Sequence, residues 1–204
     1  GRTHLQDAVP MTLGQEASAW RDQIKNSSIR IEQSIIELYE LPLGGTAIGT
    51  GLNAPKNFDR EVTKEISSIT GLSFIPAKNK FAVMASHDAM INTMSQLKLL
   101  AVSLLKIVND IRLLSCGPRC GISELILPAN EPGSSIMPGK VNPTQCESMA
   151  MVCTQIIGLD SAVSLAGSGG HLQMNSYKPI IGFNLLTSIN LLNDSCRSFR
   201  LNLV

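Results

Sequence analysis

Between His87 and Ser115 the apolar residues Met90, Met94, Leu97, Ala101, Leu104, Val108 and Ile111 recur at alternating spacings of four and three. That spacing keeps one stripe facing a partner over many turns, so it predicts a long helix packed lengthwise against other helices. Leu100, Leu105, Ile107 and Leu114 lie off the stripe. The helix is therefore expected to touch neighbours on several sides, as an inner member of a bundle does.

Three more helices of similar reach are predicted around it. One starts near Thr12, where Thr12 and Gln15 fit a capping box, and carries Trp20, Ile24, Ile31, Ile35 and Leu38 until Pro42 and Gly44-Gly45 end it. Another follows Pro143, a residue favoured at the first helical position, with Asn142 as the expected cap. It places Met149, Val152, Ile156, Leu159 and Val163 on one face and closes at Gly167-Ser168-Gly169-Gly170. The last runs from about Pro179 through Ile181, Leu185, Ile189, Leu192, Cys196 and Phe199, and a shorter helix is expected from Asp59 to Thr70. No alternating run bounded by turn signals predicts a sheet, and no internal repeat is present. The predicted fold class is all-α, a long-helix bundle whose uncovered seams would drive homo-oligomerisation.

Composition narrows the function classes. With 44% hydrophobic and 16% charged residues the chain is a packed protein, which excludes disorder. A formal net charge of +1, without a basic cluster, gives no field to hold nucleic acid. Leu97 to Val108, read as the most apolar stretch, is broken by Lys98, Ser103 and Lys106 and falls short of the roughly 20 residues of a membrane span, so no membrane partner is expected. Five scattered cysteines, Cys116, Cys120, Cys146, Cys153 and Cys196, suit buried free thiols in a reducing compartment better than a disulfide framework. Cys116 and Cys120 have no second ligand pair nearby, and His87 and His171 lie far apart, so no metal is expected. The Gly-rich stretch Leu41 to Asn53 fits neither a dinucleotide nor a P-loop fingerprint, and no cofactor is expected.

The chemistry concentrates in Glu131 to Glu147, EPGSSIMPGKVNPTQCE, where Gly, Pro, paired Ser, Lys and Asn precede a helix start. Unpaired N–H groups at that start and the Lys140 ammonium would stabilise a carboxylate or a developing oxyanion, and Asn142 could donate to the same group. Ser134 and Ser135 lie in a Gly-bounded turn whose amides could lower a hydroxyl's pKa. His4, in Gly1-Arg2-Thr3-His4, supplies an imidazole, the side-chain type suited to acid–base work, and a contact with Glu147 would fix its tautomer and raise its basicity.

GSSIMPGKVNP, Gly133 to Pro143, resembles the signature of the fumarase/aspartase superfamily, and the continuation Thr144-Gln145-Cys146-Glu147 is similar to the class II fumarases. GRTHLQDAVPMTLGQE, LPLGGTAIGTGLN, NKFAVMASHDA and GPRCGISELILPANEPGSS resemble the same family in the same order. The resemblance implies metal-independent, reversible trans addition of water to fumarate giving (S)-malate. It implies a homotetramer with a central helical bundle and active sites shared among three subunits. Position by position, it implies Ser134 as the base for the C3 proton of malate, with Lys140 and Asn142 stabilising the aci-carboxylate. Ser135 belongs to the same loop, which Gly133 and Gly139 would frame as a lid. Thr3 and His4 are implied to contact substrate and the leaving water, with Glu147 paired to His4. Aspartases typically carry Gln where His4 stands.

Two departures stand beside it. Family members usually show Glu-Leu-Asn where this chain has Gln173-Met174-Asn175. Family subunits are also longer, with an N-terminal part that binds substrate carboxylates, so residues 1–204 are expected to be a single central helical-bundle domain lacking the N-terminal domain and part of the C-terminal domain. Aspartate ammonia-lyase-type elimination, or a helical assembly module without activity, are the alternative functions.

Overall fold

The computed structural model describes residues 1–203. Its elements, in order, are a hairpin of β1 (Arg2–Thr3) and β2 (Gln6–Asp7), α1 (Leu13–Ile35), a 3-10 turn (Ile36–Tyr39), β3 (Glu40–Leu41), α2 (Phe58–Thr70), β4 (Ile75–Pro76), α3 (Lys80–Ala85), α4 (Asp88–Leu114), α5 (Thr144–Ser168) and α6 (Lys178–Asn202). β1 and β2 pair antiparallel, β3 and β4 parallel, two residues each. The fold is all-α in every element that contributes to the core.

α4 is the inner helix, lying against α1, α5 and α6, while α5 also packs on α6. Its predicted stripe is buried from Met94 to Ile111, joined by Ile107, and Met90 is half-buried. Each fully buried side chain of this size contributes about 1.5–3 kcal/mol, which makes this seam the main source of stability. On α1 the capping box forms as expected. Thr12 Oγ1 accepts from the Gln15 N–H at 3.1 Å, and Gln15 Oε1 accepts from the Thr12 N–H at 2.9 Å. The helix does not stay α-helical to Leu38, because its last turn tightens into 3-10 geometry before Pro42.

The stripe on α5 differs from the predicted one. It runs Cys146, Met149, Cys153, Ile156, Asp160, Val163 and Ala166, with Val152 and Leu159 only half-buried at its edges. Cys146, Cys153, Asp160 and Ala166 are small or polar, so this face carries no period of large aliphatic residues. On α6, Ile181, Asn184, Leu185, Ser188 and Leu192 face inward, whereas Ile189 is exposed. α3 was not anticipated, since six residues are too few to display a period; Asn79 caps it by accepting from the Ala82 N–H at 3.2 Å.

Leu97 to Val108 is not the stretch that comes nearest a membrane span. α5, with 25 residues and a window of mean hydropathy 1.5, is long and apolar enough to cross a bilayer by length and composition. Of that window 33% is buried inside the protein, and the helix carries Asp160 into its interface with α4. Asp160 accepts from Lys98 Nζ at 2.6 Å and from Ser95 Oγ at 3.4 Å, with side-chain exposures of 5% for Asp160 and 38% for Lys98. A carboxylate so placed is tolerated only because it is paired.

Two local devices position the remaining chain. The Gly-rich stretch is a packing platform: a Cβ on Gly44 (φ +84°) would lie 2.8 Å from Asp59 Cβ, and one on Gly49 (φ +107°) 2.9 Å from Phe81. Asn175, the residue retained in the departing Gln173-Met174-Asn175 segment, is buried and closes the end of α5. Its amide donates to the carbonyls of Ala166 (2.9 Å) and Gly167 (3.1 Å), while its oxygen accepts from the Tyr177 N–H at 2.8 Å. Met151 and Leu165 on α5 and Phe183 and Leu186 on α6 remain exposed apolar residues.

Lys98→Met should destabilise the fold by roughly 2–3 kcal/mol, somewhat less than loss of a fully buried pair because Lys98 keeps some solvent. Lys98→Met combined with Asp160→Leu should recover most of that loss in denaturant titrations. A second expectation concerns His87, buried at the start of α4, whose pKa lies below the ordinary 6.5 chiefly through desolvation, with Lys178 adding to the shift and the Asn175 backbone and Asp88 opposing it. The unfolded chain takes up this proton near pH 6.5 and the folded chain only at lower pH, so stability is lost as pH falls below about 6.5 until the folded pKa is passed. His87→Gln should flatten that acid limb in unfolding free energy measured from pH 7 to 5.

Candidate active site

The end of the bundle where α4 stops and α5 begins gathers most of the predicted site. Glu124 and Leu125 donate their N–H groups to the Leu114 carbonyl at 2.8 and 3.1 Å, folding the connection back onto the end of α4. Glu124 then receives Arg2 in a two-pronged ion pair, with Nη1 to Oε2 at 3.1 Å. This pair ties the N-terminal hairpin to the same end. His4 and Leu5 form the hairpin's tip with φ of 53° and 59°, left-handed values that non-glycine residues adopt sparingly and that the two flanking strand pairs hold in place. Thr3 and His4 are exposed there.

Within the Ser134 loop, Ser134 is half-buried and Ser135 and Lys140 are exposed. Ser134 Oγ accepts the Ile136 N–H at 3.3 Å. A donor aimed at this oxygen favours its negative form, which is the condition a serine base requires. The Lys140 N–H donates to the Met137 carbonyl at 3.3 Å, making a tight turn, and the Lys140 ammonium has no ion-pair partner among the described residues.

Asn142 is not the cap of α5. Its amide donates to the Gly133 carbonyl at 2.9 Å, and the cap position falls to Pro143, which has no side-chain hydrogen bond to give. Helix residues therefore begin at Thr144, one later than expected. The N–H groups of the first turn stay free to meet an anion, which a capping side chain would have covered.

Glu147 and His4 do not meet within the chain. The Glu147 carboxylate lies 3.7 Å from Arg112 Nη2, in the last turn of α4. Arg112 and the Arg2–Glu124 pair escaped the sequence reading. A cation in the final turn of the seam helix, where it meets the negative end of the helix dipole, was the available signal for Arg112. Cys146, beside Glu147, is buried, and desolvation pushes its thiol up to about 11, with Arg112 partly opposing the shift. Burial likewise raises Cys153 to about 11 and raises Cys196. These thiols are packing groups at neutral pH.

A family profile described as Lyase matches residues 1–158. The chain belongs to this lyase family. Among its relatives, the class II fumarate hydratase of Prochlorococcus marinus (strain MIT 9313) is 71% identical over 204 residues, all of this chain and 44% of the relative. The mitochondrial fumarate hydratase of Dictyostelium discoideum is 57% identical over 199 residues, covering 98% of this chain and 41% of the relative. The crystal structure of recombinant class II fumarase from Schistosoma mansoni superposes with a TM-score of 0.96 at 48% identity, over 98% of this chain and 45% of that one. The chain thus spans less than half the length of the relatives it matches, and within that span this member of the lyase family has their fold.

Cys120 is exposed, whereas Cys146 and Cys153 are buried with raised pKa values. An aromatic disulfide reagent at pH 8 should label Cys120 within seconds to minutes and leave Cys146 and Cys153 unlabelled until denaturant is added, as read by peptide mass spectrometry. Fast labelling of Cys146 in the folded protein would instead make it a reactive group of the site.

Proposed function

We propose that these residues form one helical-bundle unit of a class II fumarate hydratase, working within a polypeptide of the relatives' length and interconverting fumarate and (S)-malate by trans addition of water. The observation that carries the reading is the Ser134 loop. It combines a hydroxyl that accepts a backbone N–H, an unpaired Lys140 ammonium and the open N-terminal turn of α5. Such a site stabilises negative charge as it develops on a substrate carboxylate, where preorganised donors lower the barrier most.

In the malate-to-fumarate direction, Ser134 Oγ takes the C3 proton and the electron pair passes into the adjoining carboxylate, giving the doubly charged aci-carboxylate. Lys140 and the second N–H of Asn142 bind that group, with Ser135 beside it. The C2–O bond then breaks as the hydroxyl takes a proton supplied by His4, so that it leaves as water beside Thr3. Glu147 of one copy pairs with His4 of another, a division consistent with its facing Arg112 rather than His4 within its own chain. The exposed apolar residues of α5 and α6 support a homotetramer in which three copies complete each site. The substrate is a small dicarboxylate, and the compartment is cytoplasm or mitochondrial matrix, in keeping with bacterial and mitochondrial relatives.

In the full-length enzyme, Ser134→Ala should lower kcat by roughly 100-fold or more with a smaller change in KM, because a base acts chiefly in the transition state. The assay follows fumarate absorbance from malate, with circular dichroism and sedimentation confirming an intact fold and assembly. Near wild-type turnover by such a variant removes Ser134 from the mechanism. Ammonia release from aspartate by the wild type, without malate turnover, replaces hydration with elimination.

A further inference from the structure

The segment that carries Ser134 and Lys140 leaves and rejoins the bundle through a constriction. On one side, Asn142 Nδ2 donates to the Gly133 carbonyl at 2.9 Å. On the other, a Cβ added to Gly133 would fall on the Lys140 carbonyl oxygen, 2.8 Å from that carbonyl's carbon and 3.4 Å from the Asn142 nitrogen. Gly133 therefore meets residues 140–142 backbone to backbone, an approach that any side chain blocks.

The two glycines framing the loop serve different purposes. Gly139 has φ +79° and open space around its missing Cβ, so it is there for the left-handed turn at the loop's tip. Gly133 is not among the residues with positive φ, so conformational freedom is not what the position requires. Close approach is. The loop thus has a close-approach neck at Gly133 and a turned tip at Gly139.

We infer that Gly133 is a positioning residue for Asn142 and Lys140. Its carbonyl holds one N–H of the Asn142 amide, which fixes the amide's orientation and leaves the second N–H directed away from the neck for an oxyanion. Its bare Cα lets the Lys140 main chain close the loop, and that closure sets the separation between the Ser134 hydroxyl and the Lys140 ammonium. The catalytic consequence rests on the hydratase reading above; the clamp itself does not.

Trypsin reads the clamp without reference to activity. Lys140 is the only Lys or Arg between Glu131 and Glu147, it is exposed, and Val141 follows it. Cleavage there requires the loop to open, so its rate follows the population of the unclamped form. In the full-length protein, Gly133→Ala and Asn142→Ala should each raise the rate of Lys140–Val141 cleavage by about tenfold, and the double variant should be no faster than the faster single. Cleavage elsewhere should be unchanged. Gly133→Ala should also lower kcat by about tenfold or more while KM for malate stays within about threefold, since displaced reacting groups affect turnover more than binding.

Wild-type cleavage rates in both single variants overturn the clamp, and faster cleavage with kcat within about twofold of wild type overturns the positioning role. Should Gly133→Ala fail to fold, Asn142→Ala breaks the same bond from the other side without adding an atom, and its cleavage rate decides. Should the wild type hydrate no fumarate, the hydratase reading fails while the cleavage ratios still decide whether the neck is clamped.

Discussion

The contact between α4 and α5 fixes where the rest of the chain can go. Their interface is apolar over nearly its whole length and holds one buried carboxylate, Asp160, paired with Lys98. An apolar seam alone would tolerate a slip of one helix past the other by a turn, because one aliphatic residue fills another's place at modest cost. A slip would separate Asp160 from Lys98 and leave a charge in the interior, which costs far more. The pair thus selects one register for two helices of 27 and 25 residues.

That register has its consequence at the far end of the interface. There, the last turn of α4 supplies Arg112 and the first turn of α5 supplies Glu147, which meet only because the two helices are aligned. The connection between the helices folds back on the Leu114 carbonyl, presents Glu124 to Arg2, and then forms the Ser134 loop. A cation, an open helix N-terminus and a hydroxyl supplied with a backbone donor converge on one end of a rigid bundle. Of these, only the helix N-terminus is fixed directly by the bundle; Ser134 and Lys140 stand on the loop that precedes it, held where Asn142 donates to the Gly133 carbonyl.

The chain also shows that one residue type can answer different requirements within a few positions. Gly44 and Gly49 let α2 and α3 rest on backbone, Gly139 turns the loop tip, and Gly133 closes its neck. In the Gly-rich stretch from Leu41 to Asn53, Gly44 packs against Asp59 and Gly49 against Phe81 of the chain itself.

What the sequence by itself determined was whatever repeats along one helix or is complete within a few residues. The α4 stripe, the Thr12–Gln15 capping box and the extent of α2 are of this kind, because a helical period or a cap is written in neighbouring positions. The concentration of Ser134, Lys140 and Asn142 ahead of α5 was legible for the same reason. The tertiary structure alone decided what depends on residues distant in sequence. Arg2 meets Glu124, Lys98 meets Asp160, and Arg112 meets Glu147, each across a separation that no local pattern encodes. The α5 stripe belongs to the same class: which of its faces is buried was settled by where α4 and α6 lie, and Asp160 became interior through its neighbours' placement, whereas the burial of Cys146 and Cys153 follows the sequence's expectation of buried free thiols. Asn142 shows the boundary most clearly. Its sequence position reads as a helix cap, but the fold brings the Gly133 carbonyl within 2.9 Å, and a hydrogen bond available there takes the amide away from the helix.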